Sequence, residues 1–378
     1  MKTSSTLVII LITCFLITSF NDLKKNESRE KNNDLIFDQY YKLQEVLKKY
    51  QKIEKDNTWK TIITDAPYKD LRPDATSTTI AQVRNRLYIM GDLKEDSKND
   101  FYDQDLMDGV MKYKLRNGLK PNYIISEDNI KEMNIAVSDK IKTLKINMER
   151  CRSISPKLTK VKEYIIINIP SFELTYVKNG KIELVSKIFV GSELTKTTIF
   201  NGNIEKIVFS PYWTVPQSIV ENELKLQIAS DKNYLAEHNM EWINGQIRQK
   251  PGARNSLGLV KFIFPNPDDI YMHDTPSKSL FDFEKRTFSH GCINVAKAKE
   301  LAIAMLQNYP EWTADRIDQA MDGKEETEFK LPNKVPIFIC YFTAWANESG
   351  EIGFYQDIYH NDNNLNKILF PEDTLFKQ

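Results

Sequence analysis

The chain has 378 residues, and Lys plus Arg and Asp plus Glu each total 52, so the formal net charge is zero. That balance gives no bulk-charge signal for nucleic acid or an acidic partner, and the length is enough for two or three domains with real cores. Four cysteines in so long a chain exclude a disulfide scaffold.

One basic residue, Lys2, precedes an apolar run from Leu7 to Phe20 that is broken only by Thr13, Thr18 and Ser19. The run reads as an export signal. It is short against the roughly 20 residues that span a bilayer, which favours a cleaved signal peptide over a retained membrane anchor for residues 1–20. Thr13-Cys14 makes a poor lipoprotein site, because little apolar sequence precedes the cysteine. Residues 21–34, rich in Asn, Lys, Glu and Asp, read as a flexible tether.

Ile36, Tyr40, Leu43, Leu47 and Tyr50 then share one helical face, and Ile80, Val83 and Leu87 mark a second helix before Gly91. A third is predicted from Asp105 to Leu115 with Asn117-Gly118 as its stop. Ser126 can cap a fourth, and Ile141, Leu144 and Met148 mark a longer one before Arg152. Residues 35–150 therefore read as a helical scaffold.

From Val161 the periodicity changes. Tyr164 to Ile169 is apolar and β-branched, Phe172 to Val177 alternates, and Lys178-Asn179-Gly180-Lys181 supplies a two-residue hairpin turn into Ile182 to Val190. Ile204 to Phe209, Leu259 to Phe264, Ile270 to His273 and Ile337 to Phe342 are further strands. An insertion at about 216–250 holds a capping-box pattern at Ser218 and Glu221 and a hairpin signal at Asn244-Gly245; it is either a packed subdomain or a functional lid. The expected class is α+β, a mostly β domain preceded by a helical one.

The stretch Ser289-His290-Gly291-Cys292-Ile293-Asn294 carries the chemistry. Val295, Ala298, Leu301, Ala302, Met305 and Leu306 follow at helical spacing, so Asn294 is expected to cap a helix whose N-terminus stabilises a Cys292 thiolate. Gly291 lets the backbone approach a carbonyl, and nearby N–H groups can form an oxyanion hole. Of the four histidines, His273 ends an apolar strand and is the expected base. The ordinary alternative for an isolated Cys and His is a buried small hydrophobe and a surface or capping group. Cys151 and Cys340 are expected as core thiols, with a bridge between them left open.

The segments Tyr271-Met272-His273-Asp274-Thr275-Pro276-Ser277-Lys278 and Arg286-Thr287-Phe288-Ser289-His290-Gly291-Cys292-Ile293 resemble the signature of the L,D-transpeptidases, cysteine enzymes of bacterial peptidoglycan, and their large periplasmic branch in particular. Pro211-Tyr212-Trp213-Thr214-Val215-Pro216, Pro251 to Gly258, Lys261 to Asn266 and Thr343-Ala344-Trp345 extend the likeness over roughly residues 59 to 361. Asn294 departs from it, since that branch more often carries Arg there, and altered substrate contacts are the expected result. Tyr102 to Asn134 resembles a small peptidoglycan-binding module (about 101–135), but reads Asn122-Tyr123-Ile124-Ile125-Ser126 where such modules usually carry an Asp-Gly turn, so glycan binding and a purely structural scaffold both stand.

The resemblance implies a sandwich-like YkuD-type catalytic domain over 160–361, a lid at 216–250, a C-terminal tail at 362–378 and a place in the periplasm or cell envelope, with anchoring in the inner membrane left open. It implies acyl transfer through a Cys292 thioester with His273 as base and no metal or other cofactor. The donor would be a tetrapeptide stem that loses D-Ala, the acceptor a diamino acid side chain, the product a 3→3 crosslink and carbapenems the inhibitors. In that picture the Asp274 carbonyl orients His273, and the N–H groups of His290, Gly291 and Cys292 hold the oxyanion. Tyr271, Trp213 and Asn294 meet substrate, and Arg286 either meets a substrate carboxylate or anchors its loop. Two competitors are a metal-dependent peptidase with zinc on His273, His290 and Cys292, which lacks the usual helical His pair, and an inactive wall-binding scaffold.

Overall fold

The computed structural model describes residues 37–371. The leader with Cys14, the tether and Ile36 lie outside them. Five helices come first: α1 (Gln39–Lys55), α2 (Thr78–Met90), α3 (Gln104–Arg116), α4 (Glu127–Met133) and α5 (Val137–Leu158). Their starts follow capping chemistry. Ser77, Asp103 and Ser126 each accept a hydrogen bond from a first-turn N–H, and Ser126 with Asn129 closes a capping box. The last helix continues past Arg152 to Leu158 with Pro156 inside it.

Fourteen strands follow, of which β1 (Glu163–Asn168), β2 (Glu173–Lys178), β3 (Lys181–Gly191), β4 (Phe200–Phe209), β8 (Val260–Ile263), β9 (Met272–His273), β10 (Thr287–Ser289), β11 (Ile293–Val295) and β12 (Thr327–Cys340) form one sheet in the order β10-β3-β11-β9-β8-β4-β12-β1-β2. Because β3 pairs with β2 as well as with β10 and β11, the sheet curls back on itself. Its inner face holds Ile165, Ile167, Ile337 and Ile339, covered by α8 (Ala298–Leu306) and α9 (Ala314–Met321). The alternate residues Ile166, Phe338 and Cys340 belong to a second core shared with α1, α5 and the hairpin β13 (Ala344–Ala346) to β14 (Ile352–Phe354). Burial on both faces explains why β1 reads as an unbroken apolar run.

The insertion has a small core of its own around Val215, Leu224 and Ile247. It comprises β5 (Trp213–Thr214), a helical stretch α6 over 217–230, α7 (Tyr234–Glu237) and the hairpin β6 (Met240–Ile243) to β7 (Gln246–Gln249). The capping box expected at Ser218 and Glu221 does not form. The helix starts after Pro216 without a side-chain cap, its middle (Val220–Leu224) is wound as a π-helix, and Glu221 instead accepts from Gln217 Nε2 at 2.8 Å. The C-terminal tail contains a helix, α10 (Asp362–Leu369), which approaches α5 through the Arg150–Asp362 pair at 2.6 Å. Cys151 and Cys340 are free thiols in the second core, and burial pushes both well above the usual thiol range. Among the described residues, no helix is long and apolar enough to cross a membrane.

A buried ion pair fastens the helical segment to the sheet domain. Arg116 Nη2 meets Asp92 Oδ2 at 2.5 Å with the side chains 6% and 1% exposed, and Arg116 Nη1 donates to the Ile352 carbonyl in β14. Arg116→Ala leaves the Asp92 carboxylate buried without its partner and should destabilise the protein by about 3–5 kcal/mol. Urea melts should show this as a lowered midpoint, and an unchanged midpoint would refute the role.

Candidate active site

Two short strands assemble the site. β9 and β11 run parallel with Ile293 opposite Met272 and Asn294 opposite His273, and the Ile293 N–H donates to the Tyr271 carbonyl at 3.0 Å. One step earlier, Cys292 lies against Tyr271, whose phenol and backbone N–H both favour the charged form of its sulfur. Tyr271 and His273 are two apart on one strand and so share a face, with ring centroids 5.6 Å apart. The Trp213 indole favours the charged form of the Tyr271 phenol, which places the rim of the insertion beside the same cluster. Cys292 is half-buried and His273 is 6% exposed.

This arrangement corrects the expected helix start. The residues after Cys292 form β11, α8 begins only at Ala298, and its N-cap is Lys297. Asn294 is therefore a buried strand residue beside His273, and the helix that follows starts six residues after Cys292. The helical period from Val295 onward was real, but Ile293-Asn294-Val295 are taken by sheet pairing to both β3 and β9. Burial raises the Cys292 thiol above its ordinary range, only partly offset by the Tyr271 donors, so the resting group is a thiol rather than a thiolate.

Burial also lowers the pKa of His273 to about 4, so its imidazole is neutral at pH 7. Its Nδ1 lies 2.5 Å from the Asp274 carbonyl. A carbonyl only accepts, so Nδ1 carries the proton toward Asp274, and the Leu257 carbonyl also lies beside the ring. The backbone that supplies this carbonyl is itself clamped. Asp274 Oδ2 accepts from the Leu259 N–H at 3.0 Å, the other carboxylate oxygen pairs with Lys278, and the Asp274 N–H donates to Val260. Gly258, at φ +62°, permits that contact, since a Cβ there would sit 2.4 Å from Asp274 Oδ2.

The Ser289–Cys292 loop is held from several sides. Ser289 Oγ donates to the Cys292 carbonyl at 2.5 Å and accepts from the Gly291 N–H at 3.2 Å. Thr197 Oγ1 donates to the Gly291 carbonyl at 2.8 Å, Thr195 Oγ1 donates to the Ser289 carbonyl at 3.0 Å, and the Tyr359 phenol donates to the Gly191 carbonyl at 2.6 Å. The Gly291 N–H is thus already engaged. Among the described residues the N–H groups of His290 and Cys292 have no partner. Gly291 itself sits at φ +117°, which a side chain would resist. Ser289, Thr195, Thr197 and Tyr359 were not singled out from sequence, because hydroxyls that bind remote carbonyls leave no local pattern.

Two expected site residues point elsewhere. Arg286 is buried, and its guanidinium donates to the carbonyls of Ile188, Phe283 and Phe172, so it anchors the loop to β3 rather than standing free for a substrate carboxylate. His290 is exposed and its Nε2 lies 2.7 Å from Glu223 Oε1 in the insertion. Among the described residues no three His, Cys, Asp or Glu side chains converge as metal ligands, so His273, His290 and Cys292 do not form the donor set a zinc site needs.

Residues 162–325 match the family model of the L,D-transpeptidase catalytic domain (YkuD). The chain is 31% identical over 234 residues to a Haemophilus influenzae protein named "Putative L,D-transpeptidase", covering 56% of this chain and 47% of that one; it spans about half the length of that curated relative. Solved structures with a likeness include an L,D-transpeptidase from Mycobacterium smegmatis, 13% identical over 47% of this chain and 58% of that one with a TM-score of 0.28. Another is L,D-transpeptidase 3 from Mycobacterium tuberculosis in complex with a faropenem-derived adduct, 11% identical over 47% and 60% with a TM-score of 0.25. Residues 162–325 of this chain are thus similar to the catalytic domain of the L,D-transpeptidase family.

Proposed function

We propose that the protein is an exported L,D-transpeptidase that forms 3→3 crosslinks in peptidoglycan through a thioester on Cys292. The observation that carries this reading is the cluster of Cys292, Tyr271 and a neutral, oriented His273 on adjoining parallel strands. As the Cys292 sulfur attacks the carbonyl after the diamino acid of a tetrapeptide stem, His273 Nε2 takes the thiol proton. The tetrahedral oxyanion lies against the N–H groups of Cys292 and His290. Collapse breaks the peptide bond, the proton on Nε2 passes to the departing amine, and D-Ala leaves. An acceptor side-chain amine then attacks the thioester, gives its proton to His273 and forms the crosslink, and the sulfur leaves with that proton restored.

Two neutral partners suit this sequence. A preformed thiolate-imidazolium pair would need both groups charged in a buried site, whereas here the charge develops only with attack. Tyr271 supports the sulfur as negative charge develops on it, and its own pKa, raised by burial, keeps the phenol protonated as a donor. The insertion is assigned as a lid, held to the catalytic loop by Glu223 and His290. The carbapenem class is assigned as inhibitor through acylation of the same sulfur.

Incubation with disaccharide-tetrapeptide followed by mass analysis should yield a crosslinked dimer and free D-Ala, and Cys292→Ala should yield neither. Tripeptide alone would make the enzyme a carboxypeptidase and overturn the crosslinking assignment. Alkylation of Cys292 by iodoacetamide should climb with pH beyond the usual thiol range near 9 without levelling below it, because burial raises this thiol. Tyr271→Phe, which loses a donor to sulfur, should shift that profile further upward; a plateau near neutral pH would show a thiolate and refute the neutral pair. Glu223→Ala should change KM severalfold while leaving kcat within about twofold if the insertion gates access rather than chemistry.

A further inference from the structure

A cavity of about 680 Å³ lies where α3, α4 and the first turn of α5 meet the chain around Phe354 and Gln356, away from Cys292. Four cations line it, and three have partners. Lys114 Nζ donates to Asn122 Oδ1 at 2.6 Å and to the Ile124 carbonyl; Arg116 is paired with Asp92; Lys131 is paired with Asp128 at 3.3 Å. Lys140 differs. It is 7% exposed, and among the described residues no carboxylate or hydrogen-bond acceptor meets its ammonium, whose Nζ stands 4.3 Å from the centre of the Phe354 ring.

Three features make this an unfinished interaction. A buried cation without an acceptor is costly, and a ring face compensates only part of its lost hydration. Lys140 also lies in the first turn of the 22-residue helix α5, where the positive end of the helix dipole opposes a cation and welcomes an anion. Burial accordingly pushes its pKa down to about 8, with Glu132 acting only partly in the opposite direction. The same cavity presents the carboxylates of Asp70, Glu132 and Glu284, none of which pairs with a cation among the described residues; Glu284 accepts from the Lys120 N–H at 2.6 Å, and Asp128 is taken by Lys131.

We infer that this cavity is a binding site for a carboxylate-bearing zwitterion, its carboxylate on Lys140 and its ammonium toward Glu132. Either the free C-terminal end of a short peptide with an unblocked amine or a free amino acid has this chemistry. The volume accommodates the former. The site does not depend on Cys292, so it stands or falls apart from the acyl-transfer reading.

Calorimetric titration of the full chain carrying Cys292→Ala, which cannot turn over, separates the two. The probes are a stem tetrapeptide with a free carboxyl end, the same peptide as its C-terminal amide, and D-alanine. The acid should show a binding event that Lys140→Met weakens at least tenfold and Lys140→Arg largely restores. The amide should lose the same event on protein with Lys140 intact, an arm that involves no change of fold. Binding of D-alanine at matching affinity would assign the site to a free amino acid, and its failure to bind would assign it to a peptide end. Equal binding of acid and amide, an event unaffected by Lys140→Met, or no binding of any probe would overturn the inference. If crosslinking assays fail while this event persists, only the acyl-transfer reading falls.

Discussion

The parallel pairing of β9 with β11 is the constraint on which the site depends. Each strand is two or three residues long, yet their register places Cys292 against Tyr271 and Asn294 beside His273. Everything that holds this register is structural. Met272, Ile293 and Val295 sit fully buried in the main core, and β11 is pinned on its other side by β3. A shift of one residue would turn the sulfur and the imidazole to opposite faces. Hydroxyls of Thr195, Thr197 and Ser289 hold carbonyls of the same loop, and buried Tyr359 donates to the Gly191 carbonyl at the end of β3, so Cys292 is fixed by sheet pairing and by these contacts.

Electrostatics follow from that burial. His273 owes its direction to a backbone carbonyl rather than to a carboxylate, and the Asp274 side chain works one step removed, by fixing the backbone through Leu259 and Lys278. An orienting carbonyl adds no full charge next to the imidazole, so burial can hold the ring neutral. The same burial keeps the thiol protonated. The two groups thus rest as a neutral pair rather than as a standing ion pair, and a protonated, half-buried thiol oxidises less readily than a free thiolate.

Much of this was legible in the residues. The helices over 39–158 follow apolar periodicity and the Ser126 cap, and the hairpins at Asn179-Gly180 and Asn244-Gly245 follow turn chemistry. The segments around His273 and Cys292 carry the family resemblance. Local pattern misleads where long-range pairing overrides it. Asn294 looks like a helix cap to its neighbours in sequence but is claimed by two strands from elsewhere, and Ser218 cannot cap where Pro216 starts the turn and α6 widens to a π-helix. Arg286 was ambiguous because a buried guanidinium on three carbonyls and an exposed one awaiting an anion have the same sequence signature. Lys140 carried no signal at all, since only the folded chain shows that it lacks a partner.

The alternating burial of β1 and β12 has a consequence for how this molecule can be dissected. Ile166, Phe338 and Cys340 face away from the catalytic core into one formed with α1 and α5. Excising the helices would leave a wide greasy wall on the back of the sheet, open to water and to other chains. The N-terminal helices therefore close one side of this second core and are not a detachable appendage, and gain or loss of such a segment during evolution would have required that wall to be rewritten at the same time.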